Sequence, residues 1–425
     1  MGAQLAGVSA RTFLREPIAG VSGRAFRRQP VAAATARIFL VAGEVSGDTY
    51  GADLVAALRR LRPDVDLPAV GGPRMAAAGA RLLLDSSGWG VVGWTEVLPH
   101  LPAFLLRLSQ VRGLIEAAAP QAVVLIDFPG FNLALARRLR EKVPIAYFLP
   151  PMVSTRRGQR ARRVARLGMR LLAAFPFEAD AYRAAGADVR FVGHPAVDRV
   201  RPSAPPEVTR GLLGVPPEAP LVALLPGSRR QELRRHLPVI VEAMARVRVH
   251  LPVLRAVLLL AAPHYRAQVE ASLRPAGIPV VLVEGGTQAG YDALAASDFA
   301  VIASGTATLE ALCLGIPGVV IYRTSSLDYW VARRIASVRW AGLPSLLAGR
   351  EVMPELLGDS LTPQRLAATL VDWLADTPRR IRQQEELRAL RAALAGAGAA
   401  ERAAAEVLRL ARLLGPEGSS TIQTT

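Results

Sequence analysis

Cysteine and histidine are scarce in this 425-residue sequence, which contains only Cys313 and five histidines. A single cysteine excludes a disulfide framework and any cysteine-based zinc site. Because no two histidines are spaced as metal ligands, the sequence predicts a protein without a metal or another cofactor. Long apolar runs are missing as well, since no segment reaches the roughly 18 to 20 apolar residues that a membrane span requires. We therefore expect a cytoplasmic protein in a reducing compartment.

Acidic residues are too few to balance the basic ones. The sequence has 35 Asp and Glu against 52 Lys and Arg, which gives a formal net charge of +17. Seven arginines lie between Arg156 and Arg170, with no acid among them. Such a cluster attracts phosphates on nucleic acid, anionic lipid or a phosphorylated substrate, although a solvated helix face explains it equally well. It lacks the interleaved aromatic residues that stack on bases, which argues against nucleic acid.

The pattern of apolar runs predicts an α/β fold with two Rossmann-like domains that face a cleft. Twelve short runs, from residues 38–42 to residues 318–322, alternate with helical stretches, which is typical of parallel sheets covered on both faces. A proline-rich linker follows residue 195, so the domains are expected at residues 36–196 and 197–377. A long helix over residues 378–414 is expected to pack back on the first domain, and residues 415–425 to fray.

The first 35 residues are predicted to form an extension outside the fold. They repeat a short arginine-containing pattern, at residues 8–17 and again at residues 21–30, and contain one acid, Glu16. The apolar region of a secretory signal is missing. A targeting or lipid-contacting segment is the alternative interpretation.

Two loops of the first domain carry candidate acceptor and catalytic residues. Glu44, Ser46 and Asp48 lie in a glycine-rich turn after the first strand, without the spacing of a dinucleotide site, and can bind hydroxyls or cap a helix. Asp127 ends a buried apolar run beside aromatic residues. Desolvation there raises the pKa of a carboxylate and makes it a better proton acceptor. The alternative is that the Asp127 side chain has a structural role, in which it caps a helix or holds a loop by hydrogen bonds.

The first loop of the second domain is a candidate diphosphate site. Gly227 and Ser228 follow its first strand and offer backbone N–H groups to an anion. Arg229 adds a planar fork of donors that suits phosphate oxygens. Alone, this loop is also compatible with an ordinary turn between a strand and a helix.

A second loop of the same domain can complete the anion site. Ser304, Gly305 and Thr306 follow a later strand and open a helix, whose first N–H groups attract negative charge. Glu310 lies one turn further along and can accept hydrogen bonds from ribose hydroxyls. Because the carboxyl ends of parallel strands meet at one edge of a sheet, we expect both loops to face the cleft.

Eight segments together resemble the lipid-A-disaccharide synthase family over about residues 37–412. They are AGEVSGD at 42–48, GGPRM at 71–75, VVGWTEVL at 91–98, IDFPGFN at 126–132, GHPAVD at 193–198, LPGSRRQE at 225–232, SGTATLE at 304–310 and LPSLLAGR at 343–350. Loops like SGTATLE recur among nucleotide-sugar transferases, whereas AGEVSGD with GGPRM is particular to this family.

The resemblance implies a GT-B fold and transfer from UDP-2,3-diacylglucosamine to 2,3-diacylglucosamine 1-phosphate. The products would be a β-1,6-linked disaccharide 1-phosphate and UDP, with inversion at the anomeric carbon. Asp127 would then be the base, and amides and arginine would hold the diphosphate without a metal. Asn132, Arg156 and Ser345 are expected on the acceptor side or in the cleft.

The sequence departs from the family pattern around the acceptor side. Residues 149–155 read LPPMVST, where the family usually has a serine-rich stretch with two tryptophans. Ser345 stands where an asparagine is common, and Gly130 where many members have a second Asp. The donor half matches throughout. A family paralogue with a different acceptor is therefore one alternative.

Two further functions compete with this interpretation. One is a UDP-N-acetylglucosamine transferase or epimerase of the same fold, which would need no acyl pocket. The other is a basic, non-catalytic protein bound to a membrane surface. For the synthase itself we expect peripheral contact with the inner face of an anionic membrane, through the apolar stretch at residues 97–106 and the arginines from Arg156 to Arg170. A homodimer is also compatible with the sequence.

Overall fold

The computed structural model describes residues 36–86, 89, 101–153, 158–274, 277, 279–323, 340–394 and 396–415. The predicted extension at residues 1–35, the VVGWTEVL segment, Arg156 and residues 416–425 lie outside the described part. The described residues group as one compact unit.

The first half of the chain builds a seven-stranded parallel sheet in the order β3-β2-β1-β4-β5-β6-β7. Its strands are β1 (Ile38–Ala42), β2 (Pro68–Gly71), β3 (Arg81–Asp85), β4 (Ala122–Ile126), β5 (Ile145–Phe148), β6 (Arg170–Ala173) and β7 (Asp188–Phe191). Every residue of the central strands β1 and β4 is buried. Continuous aliphatic runs are what a strand covered on both faces requires.

The second half builds a six-stranded parallel sheet in the order β10-β9-β8-β11-β12-β13. Its strands are β8 (Leu221–Leu225), β9 (Arg255–Leu260), β10 (Val280–Glu284), β11 (Phe299–Ala303), β12 (Gly318–Tyr322) and β13 (Glu355–Leu357). Each of the twelve predicted apolar runs forms a strand in the described part of the chain, and the first and last have the predicted bounds, whereas β13 was not expected.

Helices cover both sheets. Those of the first half are α1 (Glu44–Leu61), α2 (Pro73–Ala77), α3 (Leu101–Ala118), α4 (Pro129–Leu139), α5 (Gly158–Ala165) and α6 (Pro176–Ala184). The junction contains α7 (Ala196–Arg199) and α8 (Pro206–Leu212). The rest are α9 (Arg230–His250), α10 (Arg266–Leu273), α11 (Gln288–Ala295), α12 (Thr306–Leu314), α13 (Leu343–Ala348), α14 (Pro363–Ala375), α15 (Thr377–Ala393) and α16 (Ala399–Leu410).

Both sheets reverse their strand order at one place. In the first sheet the chain winds outward from β1 in one direction and from β4 in the other, and in the second sheet it does so from β8 and β11. Ligands of open parallel sheets bind beyond the carboxyl ends of the strands at such switch points. The loops after β1, β4, β8 and β11 are the four that carry AGEVSGD, IDFPGFN, LPGSRRQE and SGTATLE.

The C-terminal segment is two helices, which corrects the prediction of a single helix over residues 378–414. The helical conformation is interrupted before Ala399, and Gly398 has a φ of +97°. The Asp198 carboxylate accepts hydrogen bonds from the N–H groups of Gly398 at 2.8 Å and Ala399 at 3.1 Å. This carboxylate therefore caps the new helix. α16 packs on α1 of the first domain, whereas α15 packs on α12 of the second.

Candidate active site

The backbone after β4 is strained. Asp127 and Phe128 have φ values of +47° and +49°, a left-handed conformation that costs about 1–3 kcal/mol for each such residue. Buried side chains hold it in place. Asn132 Nδ2 donates to the carbonyls of Ile126 at 3.1 Å and Asp127 at 2.8 Å, and the Tyr147 hydroxyl donates to the Asp127 carbonyl at 2.9 Å. The structure thus gives Asn132 a supporting role behind the catalytic candidate.

The Asp127 carboxylate is half-buried and accepts a hydrogen bond from Ser46 Oγ at 2.9 Å. Burial raises its pKa, while the Ser46 hydroxyl, the Phe128 N–H and the positive charge of Arg229 act in the opposite direction. A raised pKa makes the carboxylate a stronger base. The influence of Arg229, which lies just before α9, places the loops after β4 and β8 within electrostatic range of each other.

The turns after β1 and β4 are in direct contact. A Cβ atom on Gly43 would lie 2.3 Å from Cδ1 of the Phe128 ring, so only glycine permits this approach. Ser46 follows on α1 and reaches Asp127 from there. Glu44 begins α1, and its side chain lies outside the described part.

Asp48 has a structural role, which corrects the expectation that it projects toward substrate. It is buried, and its carboxylate accepts three backbone N–H groups at the start of α2, from Gly72 and Met75 at 3.0 Å and from Arg74 at 3.1 Å. A carboxylate at a helix N-terminus satisfies donors that have no acceptor within the helix. The AGEVSGD and GGPRM segments are therefore joined directly, because the carboxylate of the first accepts the backbone N–H groups of the second.

Replacing Asn132 by Ala is expected to weaken both folding and turnover. The carbonyls of Ile126 and Asp127 lose their common donor, so the free energy of unfolding should fall by about 1–3 kcal/mol. Turnover should fall as well, because the Asp127 loop loses its support, while anion binding by the loops of the second domain stays unchanged. Denaturant unfolding, a product assay and calorimetry measure the three quantities.

The matched control is Ser297→Ala. Ser297 is buried and donates to the Ala293 carbonyl at 2.9 Å, away from these loops. It should cost stability without changing turnover per folded molecule. Equal effects of both substitutions on that turnover would remove Asn132 from the site.

The N–H groups of Ser228 and Arg229 are not free for a diphosphate, which corrects the sequence-based interpretation. Both donate to Glu232 Oε2, at 2.8 Å and 3.2 Å, and the same Glu232 approaches the Arg229 guanidinium at 3.6 Å. Gly227 has a φ of +120°, and a Cβ there would lie 2.5 Å from the Glu232 carboxylate. The Arg229 side chain is 66% exposed. What the loop presents to a ligand is therefore the guanidinium.

The turn after β11 opens toward the same region. Gly305, with a φ of +145°, precedes α12, and Thr306 is exposed as its first residue. Ser304 Oγ donates to the Ala341 carbonyl at 2.7 Å, and Thr308 Oγ1 accepts the Leu343 N–H at 3.2 Å. These two hydroxyls hold residues 341–343 in place, which leaves the exposed Thr306 and the N-terminus of α12 as the candidate anion contacts of this turn.

Glu310 and Ser345 have different environments. Burial raises the pKa of Glu310 to about 7, and Arg199 opposes this shift. Ser345 is fully buried, and its Oγ accepts the N–H groups of Val352 at 3.1 Å and Met353 at 3.4 Å. Ser345 therefore anchors α13 in the core, which corrects its expected position in the cleft.

Residues at the junction of the domains were missed by the sequence analysis. Tyr50 of α1 and Tyr291 of α11 are buried, and the pKa of each phenol is raised by burial and also by the charge of Glu310, with Arg199 opposing. His194 is buried against Tyr50, and its Nδ1 accepts the Ala196 N–H at 3.1 Å. Burial lowers the pKa of His194 to about 3, so it is neutral and structural. No motif marks the two tyrosines.

The two parallel sheets, with polar loops at both switch points, define a two-domain α/β protein with two Rossmann-like domains, the GT-B type of fold. Similar solved structures share this fold. S. aureus MnaA with UDP is 14% identical with a TM-score of 0.63, over 91% of this chain and 100% of that one. The Neisseria meningitidis UDP-GlcNAc 2-epimerase bound to UDP-GlcNAc is 12% identical with a TM-score of 0.57, over 88% and 98%.

Sequence comparisons identify the family. Residues 38–408 match the family described as lipid-A-disaccharide synthetase. The lipid-A-disaccharide synthase of Myxococcus xanthus is 44% identical over 378 residues, which are 88% of this chain and 97% of the relative. The chain belongs to the lipid-A-disaccharide synthase family, and it is a glycosyltransferase.

Proposed function

We propose that the chain transfers 2,3-diacylglucosamine from its UDP donor to 2,3-diacylglucosamine 1-phosphate, with Asp127 as the base. Asp127 takes the proton of the acceptor 6-hydroxyl as that oxygen bonds to the anomeric carbon. The bond from this carbon to the diphosphate breaks, and UDP leaves with the electron pair. The observation that carries the proposal is the half-buried Asp127 carboxylate on a strained turn within electrostatic range of Arg229.

The second domain is proposed to bind the donor. The Arg229 guanidinium and the N-terminus of α12, with Thr306, provide positive charge and donors for the diphosphate. Glu310, one turn into α12, accepts hydrogen bonds from the ribose. Among the described residues no group of three His, Cys, Asp or Glu side chains could hold a metal ion. The departure of UDP is assigned to the Arg229 guanidinium and to the donors at the start of α12.

Donor choice separates the proposed reaction from that of a UDP-N-acetylglucosamine transferase or epimerase. Similar folds occur in epimerases, so the fold alone leaves the donor open. We expect turnover with UDP-2,3-diacylglucosamine and none with UDP-N-acetylglucosamine under the same conditions. Epimerisation of the simple donor, followed by NMR, would refute the proposed reaction.

Contact with a membrane is part of the proposal, because both substrates carry acyl chains. Among the described residues, none of the helices combines the length and the apolar composition of a membrane span. Leu105 and Leu106 of α3 are 46% and 71% exposed, and Arg160, Arg162 and Arg163 of α5 are exposed as well. These groups are proposed to bring the cleft to the cytoplasmic face of an anionic membrane.

Arg170 does not belong to this surface, which corrects the extent of the predicted basic cluster. Its side chain is only 20% exposed and pairs with Asp188 at 2.9 Å and with Glu406 at 3.2 Å. The cluster in the described structure is therefore confined to α5 and to Arg166 just beyond it.

Vesicle co-sedimentation should show binding that salt weakens only in part. Arginines near an anionic surface contribute about 1 kcal/mol each, and salt screens this contribution, whereas insertion of leucine persists. Leu105→Ser with Leu106→Ser should remove the salt-resistant fraction, and Arg160→Gln with Arg163→Gln the salt-sensitive one. Wild-type protein that binds neither anionic nor neutral vesicles at low salt would refute the membrane contact.

A further inference from the structure

His236 joins the loop after β8 to the end of β12. It lies on α9 and is fully buried. Its Nδ1 lies 2.7 Å from the Pro226 carbonyl oxygen, and its Nε2 accepts the Arg323 N–H at 2.9 Å. Pro226 directly follows β8, and Arg323 directly follows β12. Because β11 lies between these two strands in the sheet, they are not paired with each other, and the imidazole links their carboxyl ends directly.

The two partners determine which ring nitrogen of His236 carries the proton. A carbonyl oxygen only accepts, so Nδ1 must be the donor, and a backbone N–H only donates, so Nε2 must be the acceptor. The neutral Nδ1–H form of the ring therefore makes both hydrogen bonds. Burial lowers the pKa of His236, which favours a neutral ring near pH 7.

Glu232 lies one turn before His236 on α9 and holds the same loop by its N–H groups. Side chains four residues apart share one face of a helix. Glu232 Oε2 accepts the N–H groups of Ser228 at 2.8 Å and Arg229 at 3.2 Å, whereas His236 holds the Pro226 carbonyl. The loop is thus attached to α9 at both of its ends, and from it the Arg229 side chain, which is 66% exposed, extends outward.

We propose that His236 is a positioning residue for the donor: by holding the Pro226 carbonyl next to the end of β12, it sets the place at which the Arg229 guanidinium meets the diphosphate. The inference rests on the proposed role of Arg229. Hydrogen bonds weaken steeply when their distance and angle depart from the optimum. A displaced loop should therefore lose affinity for UDP, in addition to any loss of stability.

The test is a double-mutant cycle of UDP affinity, measured by calorimetry on the wild type, His236→Leu, Arg229→Ala and the double variant. Leucine leaves the Pro226 carbonyl and the Arg323 N–H without their common partner. We expect His236→Leu to bind UDP about tenfold more weakly, a loss equal to about one hydrogen bond to a charged group. In the Arg229→Ala background the same substitution should weaken binding by less than about twofold, because the group that it positions is gone. The matched control is His250→Leu, which removes an exposed histidine from the end of α9 and should leave UDP affinity unchanged.

A purely structural role of His236 predicts a different result. His236→Leu would then lower the free energy of unfolding and leave UDP affinity per folded molecule unchanged, or weaken it equally in both backgrounds. Either result would overturn the inference. Failure of the proposed function is distinguishable, since Arg229→Ala would then bind UDP as tightly as the wild type. If His236→Leu does not fold, His236→Asn replaces it in the cycle with the same expectation, because its shorter amide can reach only one of the two partners.

Nitrogen NMR of the wild-type protein with labelled histidine tests the hydrogen bonds of His236 themselves. The chain has five histidines, and the signals that are missing from His236→Asn identify the ring. At neutral pH its Nδ1 should be protonated and its Nε2 unprotonated, with and without UDP. A ring that carries its proton on Nε2, or on both nitrogens, would overturn the inference.

Discussion

Replacing Asp127 by Asn is expected to lower turnover about 10²–10⁴-fold, the usual contribution of a general base. The amide keeps the shape of the side chain but cannot take the proton of the acceptor hydroxyl. UDP affinity should stay nearly unchanged, because the donor contacts lie in the second domain. Single-turnover product formation and calorimetry with UDP measure the two quantities on one preparation.

The control for this substitution is Ser46→Ala, which removes only the hydrogen bond to Asp127 Oδ2. A hydrogen bond to a charged group contributes about 1.5–3 kcal/mol, so turnover should fall by roughly a hundredfold at most, the lower end of the loss expected for Asp127→Asn. An Asp127→Asn enzyme that retains more than about a tenth of wild-type turnover would exclude Asp127 as the base.

Removing the Arg229 guanidinium is expected to weaken UDP binding by about tenfold or more. Each hydrogen bond to a charged group contributes about 1.5–3 kcal/mol, and about 1.4 kcal/mol is a factor of ten in affinity. Calorimetry of Arg229→Ala with UDP measures this loss. The matched control is Arg234→Ala, which removes another exposed arginine, in the second turn of the helix α9 that follows Arg229.

The Arg229→Ala variant should also change the pH dependence of turnover. The base must be ionised, so turnover falls as the pH drops through the pKa of Asp127. Burial raises this pKa and the Arg229 charge lowers it, so without Arg229 the acidic limb should move to higher pH. UDP affinity equal to that of Arg234→Ala would place the diphosphate elsewhere. An acidic limb that does not move would separate Arg229 from Asp127.

Strands and their terminal loops could be predicted because both depend on local sequence. Aliphatic runs such as Ala122–Ile126 identify buried parallel strands, and the residue after such a run lies at the edge where ligands bind. β13 has three residues, Glu355–Leu357, too few for a periodic pattern. The four motif loops follow β1, β4, β8 and β11, so the ends of the predicted strands were enough to locate them at the carboxyl edges of the sheets.

The roles of individual polar residues depended on partners that are distant in sequence. Asp48 accepts N–H groups that lie 24 to 27 residues away, and Asp198 caps a helix that begins 201 residues later. Arg199 contacts Asp53 from 146 residues away. A carboxylate that caps a helix and one that binds substrate look alike in a sequence, because only the fold decides which donors reach them.

The most direct test of the proposed function is product analysis with both acylated substrates. UDP-2,3-diacylglucosamine and 2,3-diacylglucosamine 1-phosphate are incubated with the wild-type enzyme and with Asp127→Asn, and lipid products and UDP are quantified together. The wild type should release one UDP for each β-1,6-linked disaccharide 1-phosphate, and Asp127→Asn should form about 10²–10⁴-fold less of both. UDP release without disaccharide, or equal product from both enzymes, would contradict the account.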